Sequence, residues 1–318
     1  MITKNISAAV KELNKGNIIG LPTETVYGLA GNAWDEEAIK KIFNLKKRPL
    51  YNPLIVHIKS IDYVHEIATD IPDIAFKLAN AFWPGPLTLI LNKKEIVPDI
   101  VTAGKDTVAV RVPNHPIALS LLQEIDFPLA APSANPFGSI SPTNANHVYS
   151  YFKETLPVIL DGDVSKSGIE STIVGFDKED VIIYRLGSLS RETIEEVVGK
   201  VKVLNEDNES PIAPGMLSRH YAPEKDTFVT NDIVKFLSEA TSKKIGLLSF
   251  NEEIEHPSIM HQEILSKSGH LVEAAANFYA ALHRLDKSNV DIIVASYFPH
   301  KGIGIALNDK LKRATKKE

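Results

Sequence analysis

The chain has 318 residues and no cysteine. Disulfides, thiolate nucleophiles and zinc or iron–sulfur sites built on sulfur are therefore excluded. Positive charge is also short: 35 Lys and Arg face 40 Asp and Glu, a formal net charge of −5. A protein that mainly grips nucleic acid non-specifically carries the opposite balance. No apolar run approaches the roughly 20 residues of a membrane-spanning helix. Met1-Ile2-Thr3-Lys4-Asn5 has none of the apolar core of a secretion signal. The expected location is the cytoplasm, with no membrane partner. Four motifs are missing as well: G-x-x-x-x-G-K-[ST], G-x-G-x-x-G, G-x-S-x-G and H-E-x-x-H. Their absence removes P-loop ATPases, dinucleotide oxidoreductases, α/β-hydrolases and zincins as leading readings.

What is present reads as an α/β protein. The length exceeds one compact core, so two domains are expected. Ile6, Val10 and Leu13 recur at helical spacing, and Asp35 caps a second helix bearing Ala38, Ile39, Ile42 and Phe43 on one face. Further helices are predicted over 72–82, 116–124, 144–152 and from Ser190 to Val198. Strands are predicted over 17–21, 54–58, 87–91, 107–112, 128–131, 157–160, 172–176 and 181–184. The interleaving predicts a twisted mixed sheet flanked by helices over residues 1–199. Pro211, Pro214, Gly215 and Pro223 mark a linker over 200–224. A smaller Rossmann-like α/β domain is expected over 225–318, with helices at 232–240, 270–285 and from about 303, and strands at 244–250 and 290–295.

Several loops carry chemistry. Lys46-Lys47-Arg48 sits between two apolar segments, ahead of Pro49 and Pro53, which stiffen the loop. Lys and Arg there suit a phosphate, and a solvated basic turn is the plainer alternative. Pro22-Thr23-Glu24-Thr25-Val26-Tyr27-Gly28 follows the first predicted strand, where open α/β sheets line their ligand crevice. Its hydroxyls equally suit a self-capped turn. Arg111 interrupts a strand in which Val108, Val110 and Val112 alternate with Ala109. A buried salt bridge or a ligand carboxylate would account for it, and a ligand is the expectation. His57 ends another strand, where hydrogen-bonded structural histidines are common. Ser133, Ser141 and the 161–172 loop supply small residues that let backbone approach phosphate or ribose, and Ser141 doubles as a turn residue before Pro142. With Arg185, these parts describe a pocket for an anionic small molecule and a nucleotide.

These segments resemble the YrdC-type threonylcarbamoyl-adenylate synthases in their long two-domain form. The resemblance runs through Pro22-Thr23-Glu24-Thr25, Lys46-x-Arg48-Pro49, Asn52-Pro53-Leu54, Trp83-Pro84-Gly85-Pro86 and Val110-Arg111-Val112-Pro113. It continues through Ala131-Pro132-Ser133-Ala134-Asn135, Ser141-Pro142-Thr143, Glu170-Ser171-Thr172, Arg185, Arg219-His220-Tyr221-Ala222-Pro223 and Gly302-x-Gly304. It implies a nucleotidyltransferase that makes threonylcarbamoyl-AMP and pyrophosphate from L-threonine, bicarbonate or CO2, and ATP, for tRNA threonylcarbamoyladenosine modification. By the same resemblance Thr23, His57, Arg111 and Ser171 hold threonine. Lys46, Arg48, Asn52, Thr107, Ala131, Ser133, Ser141, Arg185 and Tyr221 hold ATP, with Lys46 and Arg48 catalytic and Tyr221 a lid. Mg2+ is expected on the phosphates and no metal is expected on protein ligands. The expected partner is a downstream tRNA threonylcarbamoyl transferase complex, with direct tRNA binding weak or absent. One departure is Leu217-Ser218, where the family linker usually has a lysine. The alternative is an RNA-binding or ribosome-associated module using Lys46–Arg48 and the basic tail from Lys310.

Overall fold

The computed structural model describes residues 1–178, 180–204, 214, 220–240 and 242–315. The strand Thr107–Arg111 decides the layering of the larger unit. Val108 and Val110 turn into a core with Val56, Leu89 and Val174 of other strands, packed against Ile39, Ile42, Leu78 and Ile194 of helices. Ala109 joins Ile55, Ile90 and Ile173 in a smaller cluster on the opposite face. Side chains alternate along a strand, so Arg111 shares the face of Ala109.

The described residues form a twelve-stranded mixed sheet around this strand. Ile55–His57 runs parallel to it with His57 opposite Arg111, and Leu87–Lys93 runs antiparallel on the other side. Thr172–Asp177 lies parallel to Leu87–Lys93, and Asp180–Arg185 pairs back onto it so that Arg185 meets Ile173. Leu129–Ala130 is antiparallel to Ile55–His57. His57, Arg111, Ser171 and Arg185 are thus brought to one rim of the sheet. Asp35, Asn144, Ser190 and Asp232 each cap a helix by accepting a first-turn backbone N–H.

The structure also differs from the sequence expectation. Gly28–Asn32 is a strand, antiparallel to Ile19–Leu21. Lys46 is the last residue of the helix Glu36–Lys46, and Lys47 caps it in the left-handed region at φ 52°. The basic stretch is therefore a helix terminus first and a loop second. Most of the expected linker, with Leu217 and Ser218, lies outside the described residues.

The C-terminal part holds a four-stranded parallel sheet ordered Thr227–Thr230, Ile292–Ser296, Ile245–Ser249, Ile259–Ile264. The first and last of these strands are additions to the expected pair. The sheet packs with the helices Ile233–Glu239, Leu271–Lys287 and Ile303–Thr315. It is not an isolated lobe. Val26, Ile140 and Ile169 from the larger unit lie in one apolar cluster with Phe278, Leu282, Ile293 and Leu307. Gly168 makes the approach feasible, since a Cβ there would fall 2.3 Å from the carbonyl oxygen of Ala275. Among the described residues no helix is long and apolar enough to cross a membrane.

Candidate active site

The buried charges of the described residues are gathered in one place. Among the described residues, the buried Asp, Glu, Lys and Arg are Glu24, Lys46, Arg48, Arg111, Glu170, Arg185 and Lys310. All lie in or directly behind one cavity on the sheet rim. Five cations therefore face two carboxylates, a surplus of positive charge that suits an anionic ligand.

One wall comes from the helix Glu36–Lys46. Ile39, Ile42, Phe43 and Lys46 fall on one face at helical spacing, which carries the lysine inward with its apolar neighbours. Lys46 Nζ donates to the carbonyls of Ser133 and Asn135, both at 2.5 Å, with no carboxylate of the described residues in reach. Burial and the adjacent Arg48 hold the Lys46 amine well below the usual lysine range. Arg48 is buried too, donating to Asn52 Oδ1 at 2.6 Å and to the carbonyls of Asn52 and Pro53. Burial and Arg185 lower its pKa.

The facing wall holds Arg111. Its Nε donates to Gly85 O at 3.1 Å, Nη1 donates to Thr25 Oγ1 at 2.9 Å, and Nη2 lies 2.6 Å from Glu24 Oε1. The salt-bridge explanation for Arg111 is thus realised, by a residue of the same loop that carries Thr23. Thr23 Oγ1 donates to Val26 O at 2.6 Å and accepts from Thr25 N and Val26 N, closing the turn while its residue lines the cavity. His57, beside Arg111, is pushed down to about 3 by burial and that cation, so its ring is neutral at pH 7. Ser171 Oγ meets Thr88 Oγ1 at 2.7 Å and accepts from Arg185 Nη2 at 3.0 Å. Arg185 also donates to Ser171 O and Pro214 O.

Over this floor lie His220 and Tyr221, both buried, with Tyr221 at φ 64°. Burial among Arg48, Lys46 and Arg185 lowers His220 to about 3, against the pull of Glu170. Buried side-chain N and O atoms that lack a hydrogen bond occur, among the described residues, on Glu24, Asn52, His57, Arg111, Asn135, His220 and Tyr221. Most buried polar groups are paired, so the orphans on His57, Arg111, His220 and Tyr221, which all line the cavity, mark a site built to receive polar atoms.

Of the residues singled out in the sequence, Thr23, Arg48, His57, Arg111, Ala131, Ser133, Ser171, Arg185 and Tyr221 line the cavity. Lys46, Asn52 and Ser141 stand one contact behind it, bonded to Ser133, Arg48 and Glu170. Thr107 does not join them. It begins the strand that Arg111 ends, about 13 Å away at ~3.3 Å per residue, in a separate groove with Asp70, Asp106 and Tyr184. Glu24, Glu170 and His220 have no assigned role at the level of sequence; Glu170 and His220 line the cavity, and Glu24 stands behind it, paired to Arg111. Lys310, read as part of a basic tail, points inward and is fully buried.

Comparison with known proteins shows the family. Residues 11–187 match the Sua5–YciO–YrdC family model, described as "Telomere recombination", and residues 189–315 match the model of the threonylcarbamoyl-AMP synthase C-terminal domain. The threonylcarbamoyl-AMP synthase of Pyrococcus abyssi is 39% identical over 98% of this chain and 94% of its own. That of Bacillus subtilis is 37% identical over 97% and 92%. The crystal structure of P. abyssi Sua5 complexed with L-threonine superposes with a TM-score of 0.92 at 37% identity, covering 99% of this chain and 97% of that one. The chain belongs to the threonylcarbamoyl-AMP synthase family, in the two-domain form of Sua5.

Proposed function

We propose that this chain joins L-threonine, CO2 or bicarbonate, and ATP into threonylcarbamoyl-AMP, releasing pyrophosphate. The observation that carries the reading is the convergence of the buried charges among the described residues, five cations to two carboxylates, on one cavity with two chemically distinct walls. Arg111, with Thr23, the neutral His57 and Ser171, suits a small amino acid whose carboxylate the guanidinium holds. Lys46, Arg48 and Arg185 suit a triphosphate.

The threonine nitrogen attacks the carbon of CO2 and gives up a proton, forming a carbamate. A carbamate oxygen then attacks the α-phosphorus of ATP, the bond from that phosphorus to the bridging oxygen breaks, and pyrophosphate leaves. No covalent enzyme intermediate is required. Lys46 and Arg48 act by placing the phosphates and neutralising their charge, which is the main route open to a protein in phosphoryl transfer. Their hydrogen bonds to backbone carbonyls hold both heads inside the wall without a competing carboxylate. Tyr221 and His220 cover the pocket and keep water from the carbamate and the mixed anhydride.

Among the described residues no group of three or more acidic or histidine side chains could cage a metal ion, and Glu24 and Glu170 are each paired to a cation. With that donor set Mg2+ would be held by the nucleotide's phosphates, where it would add charge neutralisation. The product is an activated acyl donor and passes to a tRNA threonylcarbamoyl transferase complex in the cytoplasm.

Pyrophosphate release with ATP and bicarbonate, with and without L-threonine, tests the reading. Release that requires threonine is expected. Threonine-independent release, or none, overturns it and favours the RNA-binding alternative.

A further inference from the structure

Lysine is rarely buried, and Lys310 is buried completely in the helix Ile303–Thr315. Ala306 and Ala314, one turn before and after it on the same buried face, leave space for its stem. The ammonium reaches out of the C-terminal sheet domain into the wall of the active site. Its Nζ lies 3.3 Å from Glu170 Oε2, donates to Leu186 O at 3.2 Å, and sits 5.0 Å from the ring centre of Tyr221.

Glu170 is the hub of this contact. Its Oε1 accepts from Ser141 Oγ at 2.6 Å, and its Oε2 accepts from Tyr279 OH at 2.8 Å, a residue of the helix Leu271–Lys287. Both carboxylate oxygens are thus committed, one to the larger unit and one to the C-terminal domain. Glu170 precedes Ser171, and Leu186 follows Arg185, so Lys310 braces both segments that deliver Ser171 and Arg185 to the cavity. The fit there is close: a Cβ on Gly187 would lie 2.4 Å from the carbonyl oxygen of Glu170 and from the carbonyl carbon of Ser171. Burial opposes the charged form of Glu170, and Lys310, Arg185 and the two hydroxyls more than offset it, so its carboxyl stays below the usual range.

We propose that Lys310 is a positioning residue for the synthase reaction, and that the C-terminal domain sets the ATP side of the pocket through the Lys310–Glu170–Ser141 chain. The proposal rests on the function given above. It assigns the C-terminal domain a part in the site itself, beyond carrying the segment that covers it. Lys310 touches no substrate. It acts by holding a carboxylate that holds a hydroxyl, and by supporting the face of Tyr221.

The test uses the full chain. Lys310→Met keeps the stem and removes the charge. The double variant Lys310→Met/Glu170→Gln also removes the carboxylate charge that the first change would strand. ATP affinity is read by calorimetric titration, and KM and kcat by threonine-dependent pyrophosphate release, with melting temperatures in parallel. We expect both the Kd and the KM for ATP to rise at least tenfold in Lys310→Met, with kcat at saturating ATP changed less than threefold. The double variant should melt within a few degrees of the wild type and keep the raised ATP constants, and it decides the matter if Lys310→Met fails to fold. ATP constants within twofold of wild type in either folded variant overturn the proposal. A wild-type chain that binds ATP but ignores threonine overturns the proposed function alone, because calorimetry still reads the positioning role. A wild-type chain that binds no ATP overturns both.

Discussion

Arg111 Nη2 and Glu24 Oε1 lie 2.6 Å apart, yet that nitrogen and both carboxylate oxygens of Glu24 lack an aligned hydrogen bond. The pair is held by charge in a buried setting, a geometry a substrate carboxylate would improve with a two-pronged contact.

The first prediction follows from that pair. Arg111→Met leaves Glu24 buried without a counter-ion and should cost about 3–5 kcal/mol of stability. Arg111→Met combined with Glu24→Gln should recover most of that loss in denaturant unfolding. Threonine binding, measured by calorimetry, should be absent in both variants while most ATP affinity remains. Intact threonine affinity in the double variant would remove Arg111 from the substrate site.

Lys46 is predicted to separate activity from stability. Among the described residues its ammonium meets two carbonyls, so Lys46→Met strands no charge and should cost about 1–3 kcal/mol for the acceptors left unpaired. Turnover should fall at least ~100-fold, the scale of losing a preorganised electrostatic contact. A melting temperature that collapses along with turnover would mark Lys46 as a structural clamp.

Tyr221 carries a buried hydroxyl with no hydrogen-bond partner among the described residues. Tyr221→Phe should therefore melt at or slightly above the wild-type temperature, since it removes an unsatisfied group. The KM for ATP should nonetheless rise several-fold if that hydroxyl meets the nucleotide. Tyr221→Ala should go further and leak threonylcarbamoyl-AMP to hydrolysis, seen as pyrophosphate released in excess of intermediate recovered. Equal yields from all three proteins would exclude a covering role.

Stability should fall as the medium is acidified below pH 6.5. Burial lowers His57, His147 and His220 to about 3 and His283 to about 4. The unfolded chain takes up protons near pH 6.5 while the folded chain stays neutral, so the stabilisation is full above that pH and is lost toward pH 3–4. His147 and His283 stack at 3.9 Å across the two units, and His283 also meets Ser141 O at 3.2 Å. His283→Phe keeps a ring and removes one proton site. Urea unfolding between pH 4.5 and 6 should lose about 1.4 kcal/mol per pH unit of slope. An unchanged slope would show that His283 titrates normally in the folded chain.

Much of the site is readable because it obeys the two periodicities of the backbone. Alternation puts Arg111 on the face opposite Val108 and Val110, and helical spacing aligns Lys46 with Ile39, Ile42 and Phe43. The caps at Asp35, Asn144, Ser190 and Asp232 are legible because a side-chain oxygen there has a local partner. What escapes depends on distant pairing. Gly28–Asn32 has no β-branched residue and is a strand because Ile19–Leu21 and Leu129–Ala130 flank it. Ile259–Ile264 carries His, Gln and Glu, and its place at the sheet edge permits them. Only the resemblance places Thr107 at the site, and one strand's length separates it from Arg111. The meeting of Glu170 with Lys310 joins residues 140 positions apart, and nothing local announces it.

The shared apolar cluster has a consequence for cutting the chain. Val26 and Ile169 flank the threonine-side loop and the hub carboxylate, and Ile140 precedes Ser141. Removing the C-terminal sheet would expose these three to water and strip Glu170 of Tyr279 and Lys310 in one stroke. A chain truncated near residue 199 would then be sticky and electrostatically unbalanced at its reactive centre. Rescue would call for polar replacements at Val26, Ile140 and Ile169 together with a neutral residue at 170.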